Sequence, residues 1–227
     1  MTKKTVFAFI PLRGNGKSIP FKNIKEIAGK PLAFWAIEAA LNCSLISKVI
    51  VSTNSDVIKK KVRELINDKL KIIDRSKETT VDTASTESAM LEFAQSDNSF
   101  EHIILIQATS PLLESSHLTE GIKKYFEKKY DGLLSVVRQK KFIWETKNGQ
   151  ARPLNYNPLL RPRRQEWDGF LVENGAFYIT SRKNLLKTRC RISGKICVYE
   201  MPQETYFELD EPADWIIVEE LLKRNKG

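Results

Sequence analysis

The chain has 227 residues, 41% of them hydrophobic, and a formal net charge of +9. That length fits one domain with a small appendage and can bury a sizeable core. No run of about 18 apolar residues occurs, which excludes a membrane-spanning helix as an expectation. Met1-Thr2-Lys3-Lys4 leads straight into an apolar run with no secretory pattern, so the expected location is the cytoplasm. The positive charge suits small anionic ligands. It is scattered rather than gathered in one stripe, and Lys59-Lys60-Lys61 and Lys123-Lys124 read as solvated surfaces. With no RNP, KH or helix-turn-helix signature, a nucleic-acid-binding domain is a remote alternative.

Strand-like and helix-like patterns alternate through the first two-thirds. Val6 to Pro11 is an apolar run of strand length. Pro31 to Cys43 reads as a helix with proline in its first turn. Lys48 to Thr53 is a second strand, and Asn54-Ser55-Asp56 offers the N-cap of a helix reaching about Ile66. Leu70 to Ile73 is a short strand. Thr83 to Ala94 reads as a helix capped by Thr83 or Asp82. Ile103 to Gln107 is a strand, Ser115 to Lys129 a helix, and Gly132 to Val137 a strand. This βαβα rhythm predicts a parallel α/β sheet. Ligands in such sheets sit beyond the carboxyl ends of the strands, where Leu12 to Asn23, Ser52-Thr53-Asn54 and Gln107 to Pro111 all fall.

The rhythm breaks after Val137. Phe142 to Gln150 reads as a hairpin with a type I′ turn at Asn148-Gly149. A stretch rich in proline and arginine follows to about Trp167, so residues 138–167 are expected to project as an arm. Asn174 to Thr180 returns to strand character, with Asn174-Gly175 as a candidate bulge. Glu211 to Lys223 reads as a closing helix. The whole chain is expected to form one domain.

Three cysteines, Cys43, Cys190 and Cys197, make an odd number with no CxxC pair, which argues against a disulfide framework or a zinc knuckle. They are expected to be buried structural thiols. His102 and His117 match no metal spacing and are expected to be structural.

Chemistry concentrates at the two ends of the chain. Phe7-Ala8-Phe9-Ile10-Pro11 opens into a loop bearing Arg13, Gly14, Gly16, Lys17 and Lys22. Gly16-Lys17-Ser18 is not a Walker loop, because the leading glycine would fall at Pro11 and Pro20 stands where the helix should begin. Glycines still let a backbone approach phosphates that Arg13, Lys17 and Lys22 would neutralise. Glu208-Leu209-Asp210 puts two carboxylates on one side of an extended segment, able to hold a divalent cation. The two acids also precede the last helix, where Asp210 is a candidate cap.

Ile10-Pro11-Leu12-Arg13-Gly14-Asn15-Gly16-Lys17-Ser18-Ile19-Pro20-Phe21-Lys22-Asn23 resembles the signature loop of the acylneuraminate cytidylyltransferases. Val81-Asp82-Thr83-Ala84-Ser85, Ile106-Gln107-Ala108-Thr109-Ser110-Pro111-Leu112, and Arg163-Arg164-Gln165 followed by Glu173-Asn174-Gly175-Ala176-Phe177-Tyr178-Ile179 resemble further family stretches in the same order. Departures are Leu12 for a small residue, Ala108 for proline, Leu113 for arginine, and Glu208 for the first aspartate of D-x-D.

The resemblance implies a three-layer, Rossmann-like nucleotidyltransferase fold of GT-A type, with a mostly parallel sheet and a dimerisation arm. It implies transfer of CMP from CTP to a nine-carbon 2-keto sugar acid. Arg13, Lys17, Lys22 and Asp210 would be catalytic. Leu12, Arg13, Gly14, Asn23, Arg75, Asp82 and Ser85 would bind the nucleotide. Gln107, Thr109, Arg164, Asn174 and Tyr178 would bind the sugar. Glu208 and Asp210 would hold Mg2+, or Mn2+ in its place. A homodimer is implied, with Trp144, Tyr156 and Trp167 anchoring the arm. An eight-carbon acid substrate and a GT-A glycosyltransferase stay open as alternatives.

Overall fold

The computed structural model describes residues 4–14, 19–81 and 83–224. In chain order its elements are β1 (Val6–Leu12), β2 (Glu26–Ile27), β3 (Lys30–Pro31), α1 (Leu32–Leu41), β4 (Lys48–Thr53), α2 (Asp56–Val62), β5 (Leu70–Asp74), α3 (Lys77–Thr80), α4 (Thr86–Ser96) and β6 (His102–Ile106). There follow α5 (Ser115–Glu127), β7 (Gly132–Gln139), β8 (Trp144–Lys147), β9 (Gln150–Pro153), β10 (Phe170–Ser181), α6 (Arg182–Thr188), β11 (Ile196–Met201) and α7 (Pro212–Arg224). A 3-10 turn at Gln203–Tyr206 precedes the acidic segment.

The period-2 alternation of β1 shows how the layers arise. Val6, Ala8, Ile10 and Leu12 face a core shared with α1, α2 and α5, while Phe7 and Phe9 face a second core shared with α4 and Leu185 of α6. Phe9 stacks on Phe93 at 5.4 Å, and Phe93 on Phe100 at 5.1 Å. Helices therefore cover both faces of the sheet, as parallel strands require.

Seven strands form that sheet in the order β11-β7-β10-β6-β1-β4-β5. β6, β1, β4 and β5 run parallel, and β11 runs parallel to β7. β10 is antiparallel to both its neighbours. Its pairing with β7 shifts register between Glu173 and Tyr178, and Gly175 there has φ +65°. The expected bulge at Asn174-Gly175 is present.

Several boundaries differ from the sequence reading. α4 starts at Thr86, and its cap is Ser85, whose hydroxyl accepts the Ser88 N–H at 3.2 Å. Pro31 is the N-cap of α1 rather than a residue of its first turn. α2 ends at Val62, short of Ile66. Cys43 and Cys197 are buried as expected, but Cys190 is exposed. Among the described residues, no helix is long and apolar enough to cross a membrane.

β8 and β9 form a separate hairpin with Lys147 opposite Gln150. Asn148 and Gly149 have φ 51° and 76°, the left-handed pair of a type I′ turn. Around the hairpin, Phe142 packs on Tyr156 and Trp167 with centroids 4.3 and 4.8 Å away. Leu159 and Leu160 are 90% and 77% exposed.

Candidate functional site

Parallel strands bring their carboxyl ends to one edge of the sheet, and four polar segments meet there. Arg13 and Gly14 continue from β1, Asn54 from β4 and Gln107 from β6. The bulge of β10 lies beside the last of these. The Gln107 N–H donates to the Ala176 carbonyl at 3.1 Å, and its side-chain amide donates to the Gly175 carbonyl at 2.7 Å.

Side chains hold the first loop in shape. The Gly14 N–H donates to Asn54 Oδ1 at 3.2 Å, and a Cβ on Gly14 would meet the Ser55 Cβ at 2.9 Å. Arg13 Nη2 donates to the Ala84 carbonyl at 2.6 Å, tying the loop to the approach to α4. Asn23 Nδ2 donates back to the Arg13 carbonyl at 2.9 Å. Lys22 crosses to the other end of the chain. Its Nζ donates to the Leu209 carbonyl at 2.6 Å and lies 3.4 Å from Asp210 Oδ1.

Leu209 explains the posture of the two acids. It is fully buried in a cluster with Leu112 and Val218, and its N–H donates to the Thr109 carbonyl at 2.9 Å. That anchor fixes the segment from which both flanking carboxylates project. Glu208 enters a corner beside Gly175 and Gln107. A Cβ on Gly175 would collide with the Glu208 carboxylate and would stand 2.7 Å from Gln107 Nε2. Burial, with the nearby Asp210 and Glu173 carboxylates, pushes the Glu208 carboxyl up to about 7 despite the opposing charge of Lys22. Asp210 stays exposed on the open side.

Two carboxylates, one of them short of compensating positive charge, fit a magnesium ion. Magnesium takes oxygen ligands and commonly uses one or two carboxylates together with substrate phosphates. Among the described residues no group of three or more His, Cys, Asp or Glu side chains is placed to hold a metal alone. The two acids would hold the ion only with phosphate or water oxygens completing its shell.

The other candidates divide. Thr109 supports Leu209, and Ser85 is spent on capping α4. Arg75 is buried and donates to the Thr79 hydroxyl at 3.3 Å and to its carbonyl, within electrostatic reach of Arg13. The Leu12 side chain is fully buried in the core, which leaves its backbone as the part that faces the loop. Asn174 is also fully buried. Its Nδ2 donates to the Thr205 carbonyl and hydroxyl at 3.2 and 3.1 Å, and its Oδ1 is buried with no hydrogen-bond partner among the described residues. Tyr178 donates its hydroxyl to Glu173 Oε2 at 2.9 Å, and burial with that bond keeps the phenol protonated. Arg164 stands exposed on the arm, where its carbonyl accepts Lys140 Nζ at 3.1 Å. It is not gathered with the Gln107–Glu208 corner through any hydrogen bond or ion pair among the described residues. Lys17 and Asp82 lie outside the described residues.

Two structural supports escaped the sequence reading. Asn54 is legible in the sequence as part of a polar strand end and of an N-cap segment, but not as the side chain that holds Gly14. The carboxylate of Asp214, not Asp210, accepts the N–H groups of Asp210 and Glu211, at 3.0 and 2.7 Å. An aspartate two residues after Pro212 was the available signal for that contact.

A cytidylyltransferase family model matches residues 7–223. N-acylneuraminate cytidylyltransferase A of Danio rerio is 38% identical over 223 residues, covering 96% of this chain and 51% of the relative. The N-acylneuraminate cytidylyltransferase of Streptococcus agalactiae serotype III is 26% identical over 215 residues, covering 92% and 51%. The chain thus spans about half the length of the curated relatives it matches. Among solved structures, a 4-diphosphocytidyl-2C-methyl-D-erythritol synthase from Anaerococcus prevotii superposes with TM-score 0.74 at 12% identity, covering 98% of this chain and 97% of that one. A CMP:2-keto-3-deoxy-manno-octonic acid synthetase complexed with CTP superposes at 0.71 with 17% identity, covering 98% and 100%. At those identities the likeness is one of fold, the α/β nucleotidyltransferase fold.

Proposed function

We propose, starting from the fact that this chain belongs to the cytidylyltransferase family, that it activates a nine-carbon 2-keto sugar acid with CTP. The anomeric oxygen forms a bond to the α-phosphorus, the bond from that phosphorus to the bridging oxygen breaks, and pyrophosphate leaves. The hydroxyl proton passes to solvent. The observation that supports this reading is the meeting of a cationic loop and two acids at one sheet edge, with Lys22 touching Leu209 and standing 3.4 Å from Asp210.

The residues would act mainly by positioning and charge stabilisation. Lys22, Arg13 and Lys17 would offset charge on the departing pyrophosphate. Gln107 and the bulge at Gly175 would orient the sugar acid. Glu208 and Asp210 would hold Mg2+, with Mn2+ as a substitute, and that ion supplies Lewis-acid polarisation of the α-phosphate when bound. His102 packs on Tyr125 and Phe126, and His117 closes the capping box of α5 with Glu114. Neither occupies the site as a nucleophile, which favours direct transfer. Dependence on CTP fits a cytoplasmic location, and the exposed arm fits a homodimer. The eight-carbon acid is the second reading, favoured by the likeness in fold to the octonic acid synthetase.

The test is mass spectrometry of products after incubation with CTP, Mg2+ and a panel of nine- and eight-carbon 2-keto acids. A CMP conjugate of a nine-carbon acid is expected. A conjugate with the eight-carbon acid alone would replace the substrate, and no conjugate with any acid would overturn the reading.

A further inference from the structure

A chain of side-chain contacts runs from α4 through the turn after α6 to Tyr178 of β10, which lies within electrostatic reach of Glu208. Glu87, in the first turn of α4, pairs with Arg191 in the turn between α6 and β11. Arg191 Nη2 donates to Glu87 Oε2 at 3.0 Å, and its Nε donates to Oε1. Both side chains are only 21% exposed. The guanidinium carbon lies 5.1 Å from the centroid of the Tyr178 ring, over its face. Tyr178 in turn donates to Glu173, which acts electrostatically on Glu208. On the other side, α4 is reached through Ala84, whose carbonyl holds Arg13.

This arrangement is more than packing. The hydrogen bond from Arg191 keeps the Glu87 carboxyl below its usual range, so the pair is ionised and neutral as a whole. Glu87 takes only the Nε–Nη2 edge of the fork. The Nη1 donors make no hydrogen bond among the described residues, and they are not sealed from solvent. A guanidinium fixed by a stacked ring and a carboxylate, with one pair of donors free, is prepared for an uncharged acceptor rather than a second anion.

We infer that Arg191 is a specificity-determining residue of the acceptor pocket, donating from Nη1 to the neutral carbonyl of the sugar acid's acylamino substituent. The inference rests on the transfer reaction proposed above. Arg191→Met keeps much of the length and the contact with Tyr178 but removes the donors, and Arg191→Lys keeps a cation without the fork. The experiment compares kcat/KM for an acylamino nine-carbon acid and for its deaminated counterpart, with KM for CTP measured alongside. In Arg191→Met the preference for the acylamino acid should fall by about tenfold, the scale of a hydrogen bond to a charged donor. Arg191→Lys should fall between Arg191→Met and the unaltered protein, and KM for CTP should move less than about twofold. An unchanged ratio in either variant, or a rise in KM for CTP matching that for the acid, would overturn the inference alone. Failure of the unaltered protein to turn over any sugar acid would overturn the proposed reaction and this inference with it.

Discussion

Lys22 Nζ stands 3.4 Å from Asp210 Oδ1, joining residues 188 positions apart in the chain. The lysine is only 18% exposed and the aspartate 68%. The cation is therefore fixed by the fold, through its bond to the Leu209 carbonyl, while the acid keeps a free side toward solvent. Lys22→Ala should lower kcat/KM by about a hundredfold or more, the scale seen when one preorganised charge stabiliser is removed. Asp210→Ala should abolish metal-dependent turnover with little change in thermal midpoint, because an exposed carboxylate contributes little to stability. Steady-state kinetics beside thermal melts would separate the two effects.

Gly175 is the position where backbone and chemistry are most tightly bound together. Its φ of +65° and the closeness of Glu208 and Gln107 leave no room for a methyl group. Gly175→Ala should destabilise the protein by about 1–2 kcal/mol from backbone conformation alone. It should also depress activity further than that loss of stability explains, because Glu208 or Gln107 must move. Denaturant titration paired with initial rates checks this.

Glu208 carries the pH dependence. Its carboxyl is raised from 4.5 to about 7 by burial first and by Asp210 second. A carboxylate raised on folding contributes stability that is full below the unfolded value. That contribution is lost as pH climbs from about 4.5 through about 7. Without metal, the protein should therefore lose roughly 1–2 kcal/mol across that window, a figure reduced for partial exposure. Glu208→Gln should flatten the profile. Added Mg2+ should restore stability at the alkaline end in the unaltered protein but much less in the variant. Melting curves from pH 4 to 9 in chelator and in Mg2+ would show it.

Asn174 acts through the 3-10 turn at Gln203–Tyr206 rather than at the surface of the site. Its amide holds Thr205, three residues before Glu208. Asn174→Ala should cost about 1–3 kcal/mol, because partners buried with it lose their donor. Loss of the tether should also shift the acids and lower the apparent Mg2+ affinity, measurable by metal titration of the rate.

The arm presents Leu159 and Leu160 almost fully to solvent, next to the packed Phe142, Tyr156 and Trp167. Sedimentation should find a dimer at micromolar concentration, and Leu159→Asp with Leu160→Asp should yield monomers. A monomeric unaltered protein would end the dimer proposal.

Much of the sheet could be read from residues because local signals agreed. β4 matches its expected limits residue for residue, since an apolar β-branched run ends at a polar cap. The hairpin followed from Asn148-Gly149, whose backbone angles few other dipeptides adopt easily. What escaped depends on contacts distant in sequence. The reversed direction of β10 leaves no periodic signature. The cap of α4 went to Ser85 because three polar residues compete there and packing chooses among them. In the site, Arg13, Lys22, Glu208 and Asp210 were legible as charges in loops, whereas Asn174 shows its supporting role only once Thr205 folds over it.

The most direct test of the central claim is the initial rate of pyrophosphate release with a nine-carbon 2-keto acid, comparing CTP, UTP and ATP in Mg2+ and in chelator. Release is expected with CTP and Mg2+, little with the other nucleotides and none in chelator. Equal rates with all three nucleotides, or release undiminished by chelator, would contradict it.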